Sequence, residues 1–318
     1  MKVSLFMSVS LAALFFFGFA NCKKDEPVGS GSVTFEITDA PVDDANIQGV
    51  FLTVADVKVD GQSIDNFSEK QTIDLLAYQN GQVKGLGSGQ LSAGVHSDIS
   101  LLLDYDQDAA GNSPGCYVLT KDGVKHALKT GTTASGSLKV GSGNISVGEN
   151  TSSTAVLDVD LRKAITYAAA NATGKYRFVT ETELLSAVRL TVKDNAASIK
   201  GNCLDGLGLA GSKIVVYAYK KGSFTAAELQ AQGESGILFK NAVSSALCGA
   251  NGDYSLSFLE PGDYELHFIG YSDSNNDGKL EVKGRLDISV LGELDFKALS
   301  LGAGVDLLLN VTVIGIIP

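Results

Sequence analysis

Apolar and polar residues alternate along much of the chain. Val33, Phe35 and Ile37 are interleaved with Thr34, Glu36 and Thr38. Ile99, Leu101 and Leu103 repeat the pattern, as do Ala155, Leu157, Val159 and Leu161 with Asp158 and Asp160 between them. Strand side chains point to opposite faces in turn, so this period of two predicts half-buried strands. In VFLTVADVKVDG the apolar parity slips: Val50, Leu52 and Val54 give way to Val57 and Val59. One extra residue near Ala55–Asp56 predicts a β-bulge. Asp60-Gly61 and Asp122-Gly123 are turn dipeptides after strand-like runs.

The later half reads the same way. Tyr254, Leu256 and Phe258 alternate, Glu260-Pro261-Gly262 turns the chain, and Tyr264, Leu266 and Phe268 alternate again. That pattern predicts a hairpin. Helical signals are few. LRKAITYAAAN (161–171) suits a short helix or an irregular link. Thr225 and Glu228 have capping-box spacing, and Gly233 follows as a stop, which predicts one short helix set between strands. A polar, small stretch at 192–198 separates two strand-rich regions. The expected fold is all-β: two antiparallel β-sandwich domains, 32–193 and 194–318, with one short helix inserted in the second.

The opening segment is different. Lys2 is the sole charge before Cys22, and Val3 to Ala20 is apolar or small. This is the layout of a signal peptide over 1–21; an uncleaved anchor helix is the alternative. A Cys closing such a segment resembles the bacterial lipobox, which implies acylation of Cys22 with diacylglycerol and palmitate-type chains and a lipidated tether over 22–31. Lys23-Lys24-Asp25-Glu26 resembles the surface-export signal of Bacteroidota-type lipoproteins. The implied location is the outer membrane, exposed at the cell surface, with a solvated periplasmic tether as the plainer reading.

Composition narrows the partners. The 318 residues carry 25 Lys and Arg against 36 Asp and Glu, a net charge of −11. An acidic surface disfavours nucleic acid, whose phosphates need basic residues. Besides Cys22 there are three cysteines. Cys203 and Cys248 both fall after residue 193, in the second expected domain, and an exported protein permits them to pair as a disulfide. Cys116 is then the odd thiol.

The region 31–192 resembles the family called domain of unknown function 4382. The residues that carry this are GSVTFEITDAPVDDANIQGVFLTVADVKVDG, then IDLLAYQNG, LSAGVHSDISLLLDY, KDGVKHALK and AVLDVDL. The resemblance implies a bacterial envelope lipoprotein and supplies no catalytic residue. Residues 196–318 resemble the transthyretin-like or carboxypeptidase-regulatory-like sandwiches, through IKGNCLDGLGLAGSKIVVYAY and GDYSLSFLEPGDYELHFIGY. That resemblance implies an accessory binding or spacer module, here interrupted by an insertion at 223–250.

Candidate chemistry is sparse. DSNNDGKLE (273–281) places Asp273, Asn275 and Asp277 at alternate positions before Gly278, with the Lys279 carbonyl and Glu281 beyond. Alternating oxygens in a glycine-bent loop suit a structural calcium ion, and equally a plain turn. Asp39, Asp43 and Asp44 form a second acidic group, read either as acid–base or metal chemistry or as a turn leaving a strand. Asp158 and Asp160 share one strand face. A hydrolase would need such acids to meet Asp39 in a pocket, within roughly 10 Å as in paired glycosidase carboxylates. His96, His126 and His267 have no metal-ligand spacing and are expected at the surface or rim. No nucleophile elbow or phosphate loop is present. The sequence therefore points to a non-catalytic envelope protein that binds or presents a glycan or another envelope protein. A structural spacer is the alternative, and a hydrolase is less favoured. Tyr217, Tyr219, Tyr254, Tyr264 and Tyr271 are the candidates for an exposed aromatic surface.

Overall fold

The computed structural model describes residues 29–40, 44, 46–67, 69–130, 135–167, 176–275 and 279–317. The first 28 residues, with Lys2 and Cys22, lie outside it, as do Asp43 and Asp277. Among the described residues, no helix is long and apolar enough to cross a membrane.

The alternating segments form strands as expected, in two sandwiches. In the first, a four-stranded sheet runs Val188–Val192, Ser152–Asp160, Ser30–Ala40, Lys84–Ser92. It faces a seven-stranded sheet built around Ile47–Val59. Val33, Phe35 and Ile37 from one sheet and Leu52, Val54 and Leu101 from the other share a single core. The expected bulge lies between Val54 and Asp56, and it keeps both Val50–Val54 and Val57–Val59 facing inward. Asp60 and Gly61 both take positive φ (50° and 79°), the geometry a tight hairpin turn requires.

The second sandwich is one nine-stranded sheet wrapped around its own core. Its path runs Ser244–Leu247, Lys213–Lys220, Gly262–Ser272, Glu281–Val290, Val311–Ile317, Ala197–Leu204, Asp253–Leu259. Both sandwiches contain parallel ladders within their mainly antiparallel sheets. Ser30–Ala40 runs parallel to Ser152–Asp160, and Ala197–Leu204 runs parallel to Val311–Ile317.

Two local expectations change. The Glu260–Gly262 turn does not close a hairpin: Asp253–Leu259 pairs with Ala197–Leu204, while Gly262–Ser272 pairs with Lys213–Lys220. The turn carries the chain across the sandwich, so Tyr254 meets Phe268 edge-on at 5.7 Å through the core. The alternation was right about which side chains face inward, but inward residues on facing layers look the same as those on paired strands. Phe258 also departs. A register shift opposite Ala197–Ile199 puts it in the left-handed region (φ 54°), and Leu259 takes the core position instead.

The segment between Lys213–Lys220 and Ser244–Leu247 is the insertion. It contains a single 3₁₀ turn, Ala226–Leu229, and Thr225 makes no side-chain cap. Glu228 instead turns fully inside, where it accepts from the Tyr219 hydroxyl (3.0 Å), Asn241 N (2.9 Å), Asn241 Nδ2 (2.6 Å) and Gln232 Nε2 (3.2 Å). These donors hold its carboxyl below the usual range against the cost of burial. The insertion thus folds around a buried carboxylate, with Phe239 and Ala242 packed on Tyr217, Tyr219 and Ile269 as a separate small core. It covers the outer face of the Gly262–Ser272 strand. All five candidate tyrosines are buried: Tyr217, Tyr219 and Tyr271 under the insertion, Tyr254 and Tyr264 in the core of the sandwich itself. His267, expected at the rim, is buried too, stacked on Phe224 at 3.7 Å.

Candidate functional site

The two sandwiches meet along a seam of buried charge. Its placement follows from strand register. The parallel pairing sets Thr38 beside Asp158 and Ala40 beside Asp160, so both strands end on the same side. Asp158 lies opposite Arg189 on the next strand, and the two form an ion pair. Asp160 ends its strand, and the helical turn Leu161–Ala164 swings Arg162 and Lys163 back over it. Arg162 Nη2 donates to Asp160 Oδ2 at 2.7 Å, and Lys163 Nζ lies 3.6 Å from the same oxygen.

Each of these cations also sends donors across the seam, although Arg189 Nη1 additionally donates to Thr191 Oγ1 at 3.3 Å and the buried Nε groups of Arg162 and Arg189 have no partner among the described residues. Arg162 Nη1 reaches the carbonyls of Leu238 (2.6 Å) and Phe239 (2.9 Å). Lys163 Nζ donates to the Ala242 carbonyl. Arg189 donates to the carbonyls of Ser257 and Phe258, and Thr191 Oγ1 also reaches Phe258 at 3.1 Å. Phe239 and Phe258 are two of the few non-glycine residues with positive φ (51° and 54°). A bulky side chain in that region costs roughly 1–2 kcal/mol. In both cases the strained residue presents its carbonyl to an arginine of the other sandwich. A third link comes from Glu183, set by a Thr180–Glu183 capping box. Its carboxylate accepts from Ser235 N (3.1 Å) and Ser235 Oγ (2.5 Å). Burial opposes its charge, yet the Ser235 and Thr180 donors bring its pKa down to about 2.

Asp39 and Asp158 do converge. They line one small cavity of about 10 Å³ together with Ser245 and Asn80. That is room for a single water, and no glycosidic substrate enters it. Burial pushes the Asp39 carboxyl well up, and Asp158 and Asp160 add to this against the Gln79 hydrogen bond. Burial also raises Asp158 despite Arg189, and lowers Lys163. Burial works against the Arg162 charge, but Asp160 together with Tyr217, Tyr219 and Tyr271 outweighs it. The acids singled out as possible catalysts are thus components of the seam.

Beside the seam lies an open cleft of about 300 Å³ with walls from both sandwiches. Tyr167, Tyr176 and Asp44 come from the first, and Ile237, Lys279 and Glu281 from the second. Tyr176 donates to Asp44 Oδ2 at 2.7 Å and packs edge-on to Tyr167 at 5.3 Å. Asp44 Oδ1 accepts from Asn46 N at 2.8 Å. Tyr167 is 37% exposed. Nothing in the sequence distinguished Tyr167 or Tyr176; their meeting depends on the two-stranded pairing Ile165–Tyr167 with Tyr176–Phe178.

The 273–281 loop reaches this cleft through Lys279 and Glu281. Glu281 Oε2 accepts from Ser274 N (3.1 Å) and Ser274 Oγ (3.2 Å), closing the turn. Among the described residues, no group of three His, Cys, Asp or Glu side chains is arranged to hold a metal. His96 bridges Asp60 and the Ser92 carbonyl, and His126 packs on Tyr176. The Cys116 thiol is buried, accepts from Thr53 N at 3.3 Å, and is pushed up to about 12 by burial. It is poorly suited as a nucleophile.

Residues 30–179 match the model of the family described as Domain of unknown function (DUF4382). No curated protein sequence matches the chain. Among solved structures, the Bacillus anthracis TIE protein is similar at 12% identity and a TM-score of 0.18, over 90% of this chain and 34% of its own. This chain thus spans about a third of the TIE protein's length. BcpA, the major pilin subunit of Bacillus cereus, aligns at 10% identity and 0.21, over 89% of this chain and 70% of its own. GBS52, a minor pilin of Streptococcus agalactiae, aligns at 11% and 0.20, over 90% and 98%. Superpositions at these TM-scores define no shared topology.

The seam makes stability depend on pH in a specified direction. A carboxyl whose folded pKa is raised contributes stability that is fully present below its unfolded pKa, about 3.9 for Asp. That contribution is lost as pH rises through the raised folded value. Asp39→Asn removes the titration. The melting temperature of the variant minus that of the parent should therefore widen as pH goes from about 4 to about 7. A difference that stays constant over that range would show that Asp39 titrates normally.

Proposed function

We propose that this protein is a non-catalytic envelope lipoprotein, anchored by acylated Cys22 and displayed on the cell surface, that presents the Tyr167–Tyr176 cleft to a glycan ligand. The observation that carries the reading is the composition of the cleft. Its two walls belong to different sandwiches, and the Arg162, Lys163 and Arg189 contacts lock those walls together. A preformed cleft loses little freedom on binding. Its chemistry suits a sugar: a half-exposed tyrosine ring for the apolar face, with carboxylate and ammonium groups for hydroxyls. An envelope protein is the other class of partner, and nucleic acid is disfavoured by the net charge of −11. The same reading divides the chain into a signal peptide (1–21), a tether, a first sandwich to 193 and a second from 194. Calcium at Asp273, Asn275, Asp277, Lys279 and Glu281 would stiffen the cleft rim.

A spacer role is the second reading. It is favoured by the burial of Tyr217, Tyr219, Tyr254, Tyr264 and Tyr271, which leaves little aromatic surface outside the cleft.

Two measurements test this. Replacing Cys22 by Ser should release the protein from membranes into the soluble fraction; continued membrane association would refute lipidation. Soluble protein lacking residues 1–22 should bind members of a glycan array, more strongly with calcium than with chelator. Tyr167→Ala should weaken that binding about tenfold or more, as loss of a stacked ring costs about 1–2 kcal/mol. A blank array under both conditions would favour the spacer.

A further inference from the structure

The path of the second sheet has two open ends. One is Ser244–Leu247 and the other is Asp253–Leu259. These strands are consecutive in the chain and lie side by side, yet no ladder joins them among the described residues. Cys248 directly follows the first, and its N–H donates to the Ile214 carbonyl at 2.9 Å. Cys203 lies on Ala197–Leu204, which pairs with the second, and its N–H donates to the Gly252 carbonyl at 2.9 Å. Cys203 is buried in the core of the sandwich, with half-buried Cys248 packed against it. The two side chains are in hydrogen-bond contact and share the wall of an open surface cleft of about 630 Å³. Both are free thiols in this structure.

We infer that Cys203 and Cys248 form a disulfide that closes the open edge of the second sandwich and encloses the docking insertion in a covalent loop. The chain between them contains the whole 223–247 segment, including Glu228, Ser235, Leu238, Phe239 and Ala242. Those last four residues receive Glu183, Arg162 and Lys163 across the seam. The bond therefore restricts the segment on which docking of the two sandwiches depends, and restricts it in the unfolded chain as well.

The oxidant is an external disulfide, of the kind supplied by dithiol oxidases or low-molecular-weight disulfides outside the cytoplasm. Its S–S bond breaks and the Cys203–Cys248 bond forms. Two electrons pass to the oxidant, and the two thiol protons end on its sulfurs. The cleft gives such a reagent access to Cys248. Cys116 serves as an internal control: it is buried in the other sandwich, and its thiol pKa is raised to about 12.

The test uses the exported chain with Cys22 replaced by Ser, purified without reductant, denatured, alkylated and mapped by mass. One alkylated cysteine, Cys116, and a linked Cys203–Cys248 peptide are expected. Reduction should lower the melting temperature by roughly 5–10 °C and speed hydrogen exchange in 223–247. Cys203→Ser should expose Cys248 to alkylation and reproduce the melting shift without reductant. Three alkylated cysteines, persisting after incubation with excess oxidised glutathione, would overturn the inference. A linked peptide whose reduction leaves exchange in 223–247 unchanged would overturn its role in docking. Either outcome is independent of whether any glycan binds.

Discussion

A guanidinium shut away from water must find partners for its charge and its donors, or it destabilises the fold by several kcal/mol. Arg162 is buried, and its own strand supplies one partner, Asp160. The others are the Leu238 and Phe239 carbonyls of the second sandwich. The first sandwich alone therefore cannot satisfy Arg162. The same holds for Lys163 and Arg189, which also end on carbonyls across the seam. Docking of the sandwiches is built into the electrostatics of the first, and the arrangement of the cleft follows from it.

The insertion acquires its purpose in this frame. In a plain sandwich, Lys213–Lys220 and Ser244–Leu247 would be joined by a short turn. Here the intervening chain organises itself around Glu228 and presents a row of carbonyls to the other sandwich. Its apolar side buries Tyr217 and Tyr271, whose hydroxyls meet at 2.6 Å. This tyrosine-bearing face is used to hold the molecule together. The half-exposed aromatic site lies instead at the seam's margin, around Tyr167.

Much of the fold was legible because it depends on local pattern. The parity slip at Ala55–Asp56 can only be absorbed by a bulge, and Asp60-Gly61 fits a turn with two positive φ angles. What alternation cannot encode is which strand lies opposite. Tyr254 and Tyr264 read identically whether their strands pair or face each other, so the crossing at Glu260–Gly262 was read as a hairpin. Phe258 alternates with Tyr254 and Leu256, and the tertiary register shift that moves it off their face leaves no trace in its own segment. His267 looked exposed because the cover, Phe224, comes from a segment remote in sequence. The seam was half legible. Asp39, Asp158 and Asp160 stand out as acids at strand positions, but nothing in the sequence singles out Arg162, Lys163 and Arg189. The antiparallel register with Val188–Val192 and the helical turn after Asp160 bring the two sets together, and the parallel register adds Asp39.

The central claim is that the two sandwiches form one cooperative body because the buried cations of the first, paired there with Asp158 and Asp160, take further hydrogen-bond partners from the second. Calorimetric unfolding of the soluble chain tests it most directly. The account predicts a single transition whose calorimetric and van't Hoff enthalpies agree, the signature of all-or-none unfolding. Two resolved transitions, with one sandwich remaining folded after the other has melted, would contradict it.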